Sequence, residues 1–228
     1  MTDARPARLP FFPIGHAALG LPDFIAVLLG AGVQRLVDVR AFPRSRSNPQ
    51  FNLDTLPAAL ATQGIDYEHM ADLGGRRGRQ PGVAPEVNGG WDNESFHHYA
   101  DWALQPAFGA ALAHLRATGQ RQCCAVMCAE SLWWRCHRRI IADHLLATGE
   151  TVRHIMDGHV EDARPTPFAR VAADGLVPYP PDAPSAATPR AVGAQRPPPT
   201  DRQRCSASRS ARSASDVPLQ TTWPFSTT

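Results

Sequence analysis

Five short β-type runs alternate with amphipathic helical patterns before residue 164, and this alternation restricts the fold more than any other feature of the sequence. The runs read FFPIG (11–15), RLVDVR (35–40), IDYEHM (65–70), QCCAVMC (122–128) and TVRHIM (151–156). Helical patterns with end signals lie between them, reading LPDFIAVLL, LDTLPAALATQ, NESFHHYADWAL, AFGAALAHLRAT and ESLWWRCHRRIIADHLLAT. This order predicts an α/β fold, a mostly parallel sheet with helices on both faces in three Rossmann-like layers.

The composition changes at about residue 164. Beyond it the chain is rich in Pro, Ala, Ser and Arg and poor in large apolar residues. Such a segment buries too little surface to offset the entropy of ordering it. We therefore predict a single domain over residues 1–163 and a disordered tail over residues 164–228, which contains Cys205.

Composition and charge exclude several function classes. All 23 basic residues are arginine, which rules out a lysine Schiff base and a Walker A lysine. Residues 1–178 hold 17 Arg against 18 acidic residues, so the domain lacks the basic balance of a nucleic-acid-binding surface. The longest apolar stretch, FIAVLLGAGV, is far shorter than the roughly 20 residues of a membrane span. We expect a cytoplasmic protein with free thiols and no membrane partner.

Polar residues follow the predicted strands, at the edge where ligands bind in parallel sheets. His16 follows the first strand, Asp38 and Arg40 end the second, and Cys128 and Glu130 close the fourth. Two loops placed at the same edge carry further arginines and a glycine pair, namely Arg44, Arg46, Gly74, Gly75, Arg76 and Arg77. Guanidinium groups bind phosphate or carboxylate in a bidentate manner, so the pattern predicts an anion site. A solvated basic loop is the alternative.

Cys128 is the candidate reactive thiol. It lies where a strand is predicted to pass into a helix near Glu130, and a helix N-terminus or nearby arginines stabilise a thiolate. Glu130 is a candidate acid or base, and His137 and Arg138 are further candidate members of the site. The C-x5-R loop of thiolate phosphatases and sulfurtransferases is not matched, because the first arginine after Cys128 is Arg135.

Cys136 is predicted to pack inward on the helix that starts near residue 131. About a turn and a half of helix would separate it from Cys128 by roughly 8 to 10 Å, too far for a disulfide. The spacing of Cys and His also lacks the usual zinc patterns. No metal ligand and no cofactor are predicted.

Six colinear segments resemble the bacterial family catalogued as domain of unknown function 488. They read PIGHA, LVDVRAFPRSRSNPQFN, GIDYEHMADLGGRR, VMCAE, CHRRIIADHL and VRHI, and they span about residues 11–160. The resemblance implies an α/β domain whose signature includes the residues singled out above. It leaves the reaction open. Family members usually have Ser in place of Ala17, and Asp-Pro in place of Leu132 and Trp133.

Three hypotheses of function remain. The first is an enzyme, a hydrolase or transferase, that binds a nucleotide or nucleic-acid component through its phosphate and reacts it at Cys128 and Glu130. The second is a non-catalytic module that binds an anion or nucleotide through the same arginines. The third is an adaptor whose partner surface includes Trp133 and Trp134, with the protein partner unknown.

Overall fold

The predicted alternation of strands and helices is present in the structure. The computed structural model describes residues 8–16, 19–156 and 158–181. Its strands are β1 (Phe11–Gly15), β2 (Arg35–Asp38), β3 (Asp66–His69), β4 (Cys124–Cys128), β5 (Arg153–Met156) and β6 (His159–Asp162). Its α-helices are α1 (Leu21–Gly30), α2 (Leu56–Ala61), α3 (Glu94–Ala103), α4 (Pro106–Gly119) and α5 (Arg138–Ala147).

The strands of the described residues form one sheet in the order β3-β2-β4-β1-β5-β6. Strands β1 to β5 run parallel, as predicted, whereas β6 pairs antiparallel with β5 and was not predicted. Every residue of β6 is exposed, and Val160 is its only apolar residue, so the strand lacks the apolar pattern of β1 and β4. Because β4 lies between β1 and β2, the carboxyl ends of these three strands are adjacent.

Helices cover both faces of the sheet, which confirms the predicted α/β architecture. On one face, α1 and α2 pack against alternate strand residues such as Phe12, Ile14 and Met127. On the other face, α3, α4 and α5 pack against Phe11 and Val126. Because successive side chains of a strand point to opposite faces of the sheet, one strand can contribute residues to the core on each face. None of the helices in the described ranges has the length and apolar character needed to cross a membrane.

The helix predicted over residues 130–148 begins only at Arg138. Residues 129–137 instead form a loop with one 3-10 turn at Trp133–Arg135. The Glu130 carboxylate accepts a hydrogen bond from the backbone N–H of Leu132 at 3.2 Å, and the Arg138 side chain donates to the carbonyl of Glu130. These side-chain bonds compete with helix formation and fold the loop back on itself.

The predicted start of the tail at residue 164 is too early. Tyr179 is fully buried, and its hydroxyl donates to the Asp143 carboxylate at 2.9 Å. The backbone N–H of Thr166 donates to the same carboxylate at 2.8 Å, and Val177 is also buried. Residues 164–181 therefore form part of the domain, anchored by a few residues in an otherwise polar and Pro-rich stretch. The predicted tail from 182 onward, with Cys205, lies outside the described residues.

Candidate functional site

The adjacent carboxyl ends of β1, β4 and β2 border a cavity of about 740 Å³. Of the residues predicted for the site, those that line it are His16, Arg40, Arg44, Gly75, Arg76, Cys128, Glu130 and His137. Asp38 and Arg138 do not line the cavity, but each bonds to residues that do. The rule that ligands bind at the carboxyl ends of parallel strands thus brings together predicted residues from four separate segments.

Two thiols converge on the imidazole of His137. Its Nδ1 lies 3.5 Å from the Sγ of Cys136 and 3.9 Å from the Sγ of Cys128, and the three atoms all lie within 4.8 Å of one another. The other ring nitrogen, Nε2, lies 3.0 Å from the carbonyl oxygen of Val39. A carbonyl oxygen only accepts, so Nε2 carries a proton and Nδ1 of the neutral ring can accept one from a thiol. This is the geometry of a cysteine–histidine centre.

The predicted separation of Cys128 and Cys136 is therefore wrong. It assumed a helix between them, whereas the intervening loop turns back and places both sulfur atoms beside one ring. Cys136 is 4 % exposed and so is buried as predicted, but it belongs to the cluster and lines the cavity. It does not act merely as a small apolar side chain.

The pKa values of the two thiols are shifted in opposite directions. Burial alone would raise the pKa of Cys136, but a hydrogen bond from Cys128 and the charges of His137 and Arg138 outweigh burial and hold this pKa well below its usual range. That same hydrogen bond, together with burial, raises the pKa of Cys128. The first proton lost by the pair therefore comes from Cys136, while Cys128 remains the more exposed thiol.

Arg138 supplies positive charge directly to this pair. Its side chain is fully buried, and its Nε donates to the Sγ of Cys136 at 3.2 Å. Among the described residues, no carboxylate lies within 4 Å of its guanidinium, and its buried Nη1 has no hydrogen-bond partner there. Buried charges are normally paired, so the thiolate of Cys136 is the anion that balances Arg138.

A second buried arginine is held in a conventional ion pair. Arg40 donates through Nε and Nη2 to both oxygens of Asp38, at 2.9 and 2.6 Å, and Tyr67 donates to the same carboxylate at 2.7 Å. His16 stacks on Phe51 with ring centroids 4.1 Å apart and lies 3.4 Å from Arg40. Burial and the Arg40 charge lower the pKa of His16 to about 4, so it is neutral at physiological pH.

The predicted arginine loops divide into two groups. Arg44 and Arg76 are exposed and line the cavity, joined there by Arg135 from the loop after β4. Arg46 and Arg77 do not line it. These three lining guanidinium groups face the same cavity as the thiols, so the arrangement can hold an anion beside a reactive sulfur.

Arg77 is used in packing. Its guanidinium lies 4.0 Å from the ring centre of Trp102, and its Nε donates to the carbonyl of Gly74 at 2.9 Å. Gly74 and Gly75 of the same loop lie close to neighbouring segments. A side chain at Gly75 would overlap the His137 ring, and one at Gly74 would meet the backbone of Ala71. Gly75 is therefore required for His137 to lie where it does.

Several members of the site were not found from the sequence, namely Phe42, Ser45, Asn48, Ser95, Phe96 and Tyr99. Tyr99 is buried and lies on the core face of α3, where it donates to the carbonyl of Leu73 at 2.7 Å. Tyr99 lies at a position of the helical pattern that predicts a core residue, and nothing in the sequence distinguishes it from the other core residues of this helix. Phe42 lies within the predicted anion loop and is 69 % exposed, so an aromatic residue in an otherwise polar loop was the available signal.

The aromatic pair Trp133 and Trp134 is not equally exposed. Trp133 stacks on His154 with ring centroids 4.3 Å apart, and its indole N–H donates to Glu161 at 2.9 Å. Trp134 is 42 % exposed. The side chain of Trp133 thus anchors the loop to β5 and β6.

Comparison with known proteins gives one family. The model of a family described as domain of unknown function DUF488 matches residues 20–145, which include β2, β4, the whole loop after β4 and most of α5. No curated protein and no solved structure matches the chain.

Proposed function

The chain belongs to the DUF488 family, and from this premise we propose that it is an enzyme acting on a phosphate-bearing substrate, a nucleotide or a nucleic-acid component. The observation that supports this most strongly is the single cavity that contains both the Cys128–Cys136–His137 cluster and the guanidinium groups of Arg44, Arg76 and Arg135. The guanidinium groups can bind a phosphate, and the cysteine–histidine cluster can react at a bond next to that phosphate.

The cavity rim favours a substrate with a base or another flat ring. Phe42 is exposed, and the guanidinium of Arg76 lies 5.7 Å from its ring centre. An exposed aromatic ring beside an arginine can stack a base while the arginine holds the phosphate. The cavity volume of about 740 Å³ lies within the range of small-molecule sites.

The reacting centre has groups for proton transfer as well as for binding. Nδ1 of His137 accepts a proton from a thiol, and the Glu130 carboxylate lines the same cavity as a candidate acid or base. The hydrogen bond from Cys128 and the charges of His137 and Arg138 favour an anionic sulfur on Cys136 at the cavity lining, against the effect of burial. These features are those of a hydrolase or transferase with a cysteine and glutamate centre.

Binding is tested by calorimetric titration with inorganic phosphate and with a mononucleotide. Arg76→Ala should weaken binding about tenfold or more, since a charge-assisted hydrogen bond contributes about 1.5 to 3 kcal/mol. Arg79→Ala is the matched control, because Arg79 lies in the same loop and does not line the cavity. Equal loss in the two variants would contradict a phosphate site in this cavity.

Catalysis is tested separately with a pool of phosphate esters and mass-spectrometric detection of products. Cys128→Ser and Glu130→Gln should each abolish turnover while phosphate binding persists. A non-catalytic anion-binding module is the second candidate, favoured by the arginines alone. If the unaltered protein binds phosphate or nucleotide but converts no ester in the pool, the binding module replaces the enzyme as the function of this site.

A further inference from the structure

We infer that Cys128, Cys136 and His137 form a zinc site with three protein ligands and a fourth coordination position that faces the cavity. Zinc binds thiolate at about 2.3 Å and imidazole nitrogen at about 2.0 to 2.1 Å, so a tetrahedral ion holds sulfur and nitrogen about 3.5 Å apart. The two observed distances from His137 Nδ1 to sulfur are 3.5 and 3.9 Å. Both nitrogen-to-sulfur distances are therefore close to what zinc requires, and the two sulfur atoms lie within 4.8 Å of each other.

Two of the three ligands also have a partner that orients them. The N–H at Nε2 of His137 faces the carbonyl of Val39 at 3.0 Å, which directs Nδ1 toward the two sulfur atoms. Arg138 donates to the Sγ of Cys136 at 3.2 Å. Metal sites normally hold their ligands through such outer contacts, and those contacts are costly to lose.

The segments that carry these residues are held in place by the sheet and by close packing. Val39 directly follows β2, Cys128 ends β4, and Gly75 leaves the space that the His137 ring fills. The three ligands therefore come from a strand end and a loop fixed against two neighbouring segments. A site held on such elements keeps its geometry better than one on a free loop.

The ligand set favours zinc among the common metals. Two thiolates and one imidazole are soft and borderline donors, which suit zinc and disfavour magnesium and calcium. Binding of Zn²⁺ displaces the remaining thiol protons, and the ion is held by two thiolates, one of which also accepts the hydrogen bond from Arg138. Three protein ligands with one open position are typical of catalytic zinc, whereas structural zinc is usually closed by a fourth side chain.

The role of the ion rests on the proposed function, although the site itself does not. At the fourth position zinc would polarise a substrate oxygen or a water molecule within reach of the phosphate held by Arg44 and Arg76. In that case Cys128 acts as a ligand, and its loss abolishes turnover because the metal is lost. Glu130, which lines the same cavity, remains available for proton transfer.

The test uses the full chain, freed of metal with a chelator and then titrated with Co²⁺ or Zn²⁺. We expect one ion per chain, with thiolate-to-cobalt charge-transfer absorption that Zn²⁺ displaces. Cys136→Ser and His137→Gln should each weaken binding at least tenfold. Cys123→Ser is the matched control, since Cys123 is buried in the opposite core, away from the cluster, and should leave binding unchanged.

A second measurement needs no variant. In the unaltered protein, Zn²⁺ should protect Cys128 from alkylation by iodoacetamide, and a chelator should restore its reaction, with the modified cysteine identified by mass spectrometry. Failure of Co²⁺ to give the charge-transfer band, or a band that survives Cys136→Ser, overturns the zinc site. Arg76→Ala should leave metal binding intact, so loss of phosphate binding and loss of the metal site are distinguished.

Discussion

Arg40 and Arg138 are both buried at the carboxyl edge of the sheet, yet their charges are balanced in different ways. Arg40 lies against Asp38, whose carboxylate also accepts from Tyr67. Arg138 has no carboxylate within 4 Å among the described residues and donates to Cys136 Sγ. The first arginine is paired with the carboxylate of Asp38. The second depends on sulfur, whose charge can change on protonation, metal binding or reaction.

The largest effect should follow from removing the carboxylate of Asp38, which pairs with Arg40. Asp38→Asn leaves Arg40 buried without its counter-ion, and we expect a loss of about 3 to 5 kcal/mol in the free energy of unfolding. Urea denaturation measures this loss. Asp54→Asn is the control, since Asp54 pairs with Arg44 at the surface and should contribute no more than about 1 kcal/mol. A loss below that value for Asp38→Asn would show that Arg40 needs no carboxylate.

The next effect concerns His16, which lies beside the same arginine. Its pKa of about 4 in the folded protein is below the unfolded value of about 6.5, so its neutral form stabilises the fold. This contribution is complete above pH 6.5 and is lost as the pH falls toward 4, by on the order of 3 kcal/mol. His16→Gln should flatten the pH dependence of unfolding in this window. An unchanged slope would mean that His16 titrates normally.

The third effect probes the arginine that is balanced by sulfur. Arg138→Met removes a positive charge that lowers the pKa of both thiols, so in metal-free protein the thiolate should form at higher pH. We expect alkylation at neutral pH to slow several-fold, because the thiolate is the nucleophile in this reaction. Arg139→Met is the matched control, because the guanidinium of Arg139 lies 4.9 Å from the Trp91 ring centre instead. Equal slowing in both variants would remove the distinction between the two arginines.

The smallest effect should come from the phenol that supports Asp38. Tyr67→Phe removes one hydrogen bond to a carboxylate that Arg40 still holds, so the free energy of unfolding should fall by about 1 kcal/mol. Phosphate binding in the cavity should not change, since Tyr67 does not line it. A loss as large as that of Asp38→Asn would mean that the ion pair depends on the phenol for its position.

Most of the sheet could be predicted from sequence, because β1, β2 and β4 carry apolar residues on both faces and helical patterns with clear end signals lie between the predicted strands. Position in the sheet then indicated His16, Asp38 and Cys128 as edge residues. The loop after β4 could not be predicted, since its conformation depends on bonds from Glu130 and Arg138 that form only after the chain folds back. Helical periodicity in Trp133–Ile140 concealed this loop, and with it the contact of Cys136 with His137.

The segment 164–181 illustrates the same limit at the other end of the domain. Its composition is that of a disordered chain, and only Tyr179 and Val177 are large apolar residues that the core buries completely. The hydrogen bond from the Tyr179 hydroxyl to the Asp143 carboxylate holds this segment against the domain despite its composition. Local patterns therefore predict elements well, whereas single anchoring contacts far apart in sequence are visible only in three dimensions.

The position of β1 in the sheet affects how the protein is made. It is the first strand of the chain but lies between β4 and β5, so its two neighbours are synthesised more than 100 residues later. Until then its apolar residues, Phe11, Phe12 and Ile14, have no strands to pair with. Folding of such a topology is dominated by distant contacts and is slow. The nascent chain therefore emerges from the ribosome with an apolar strand whose neighbours in the sheet have not yet been made.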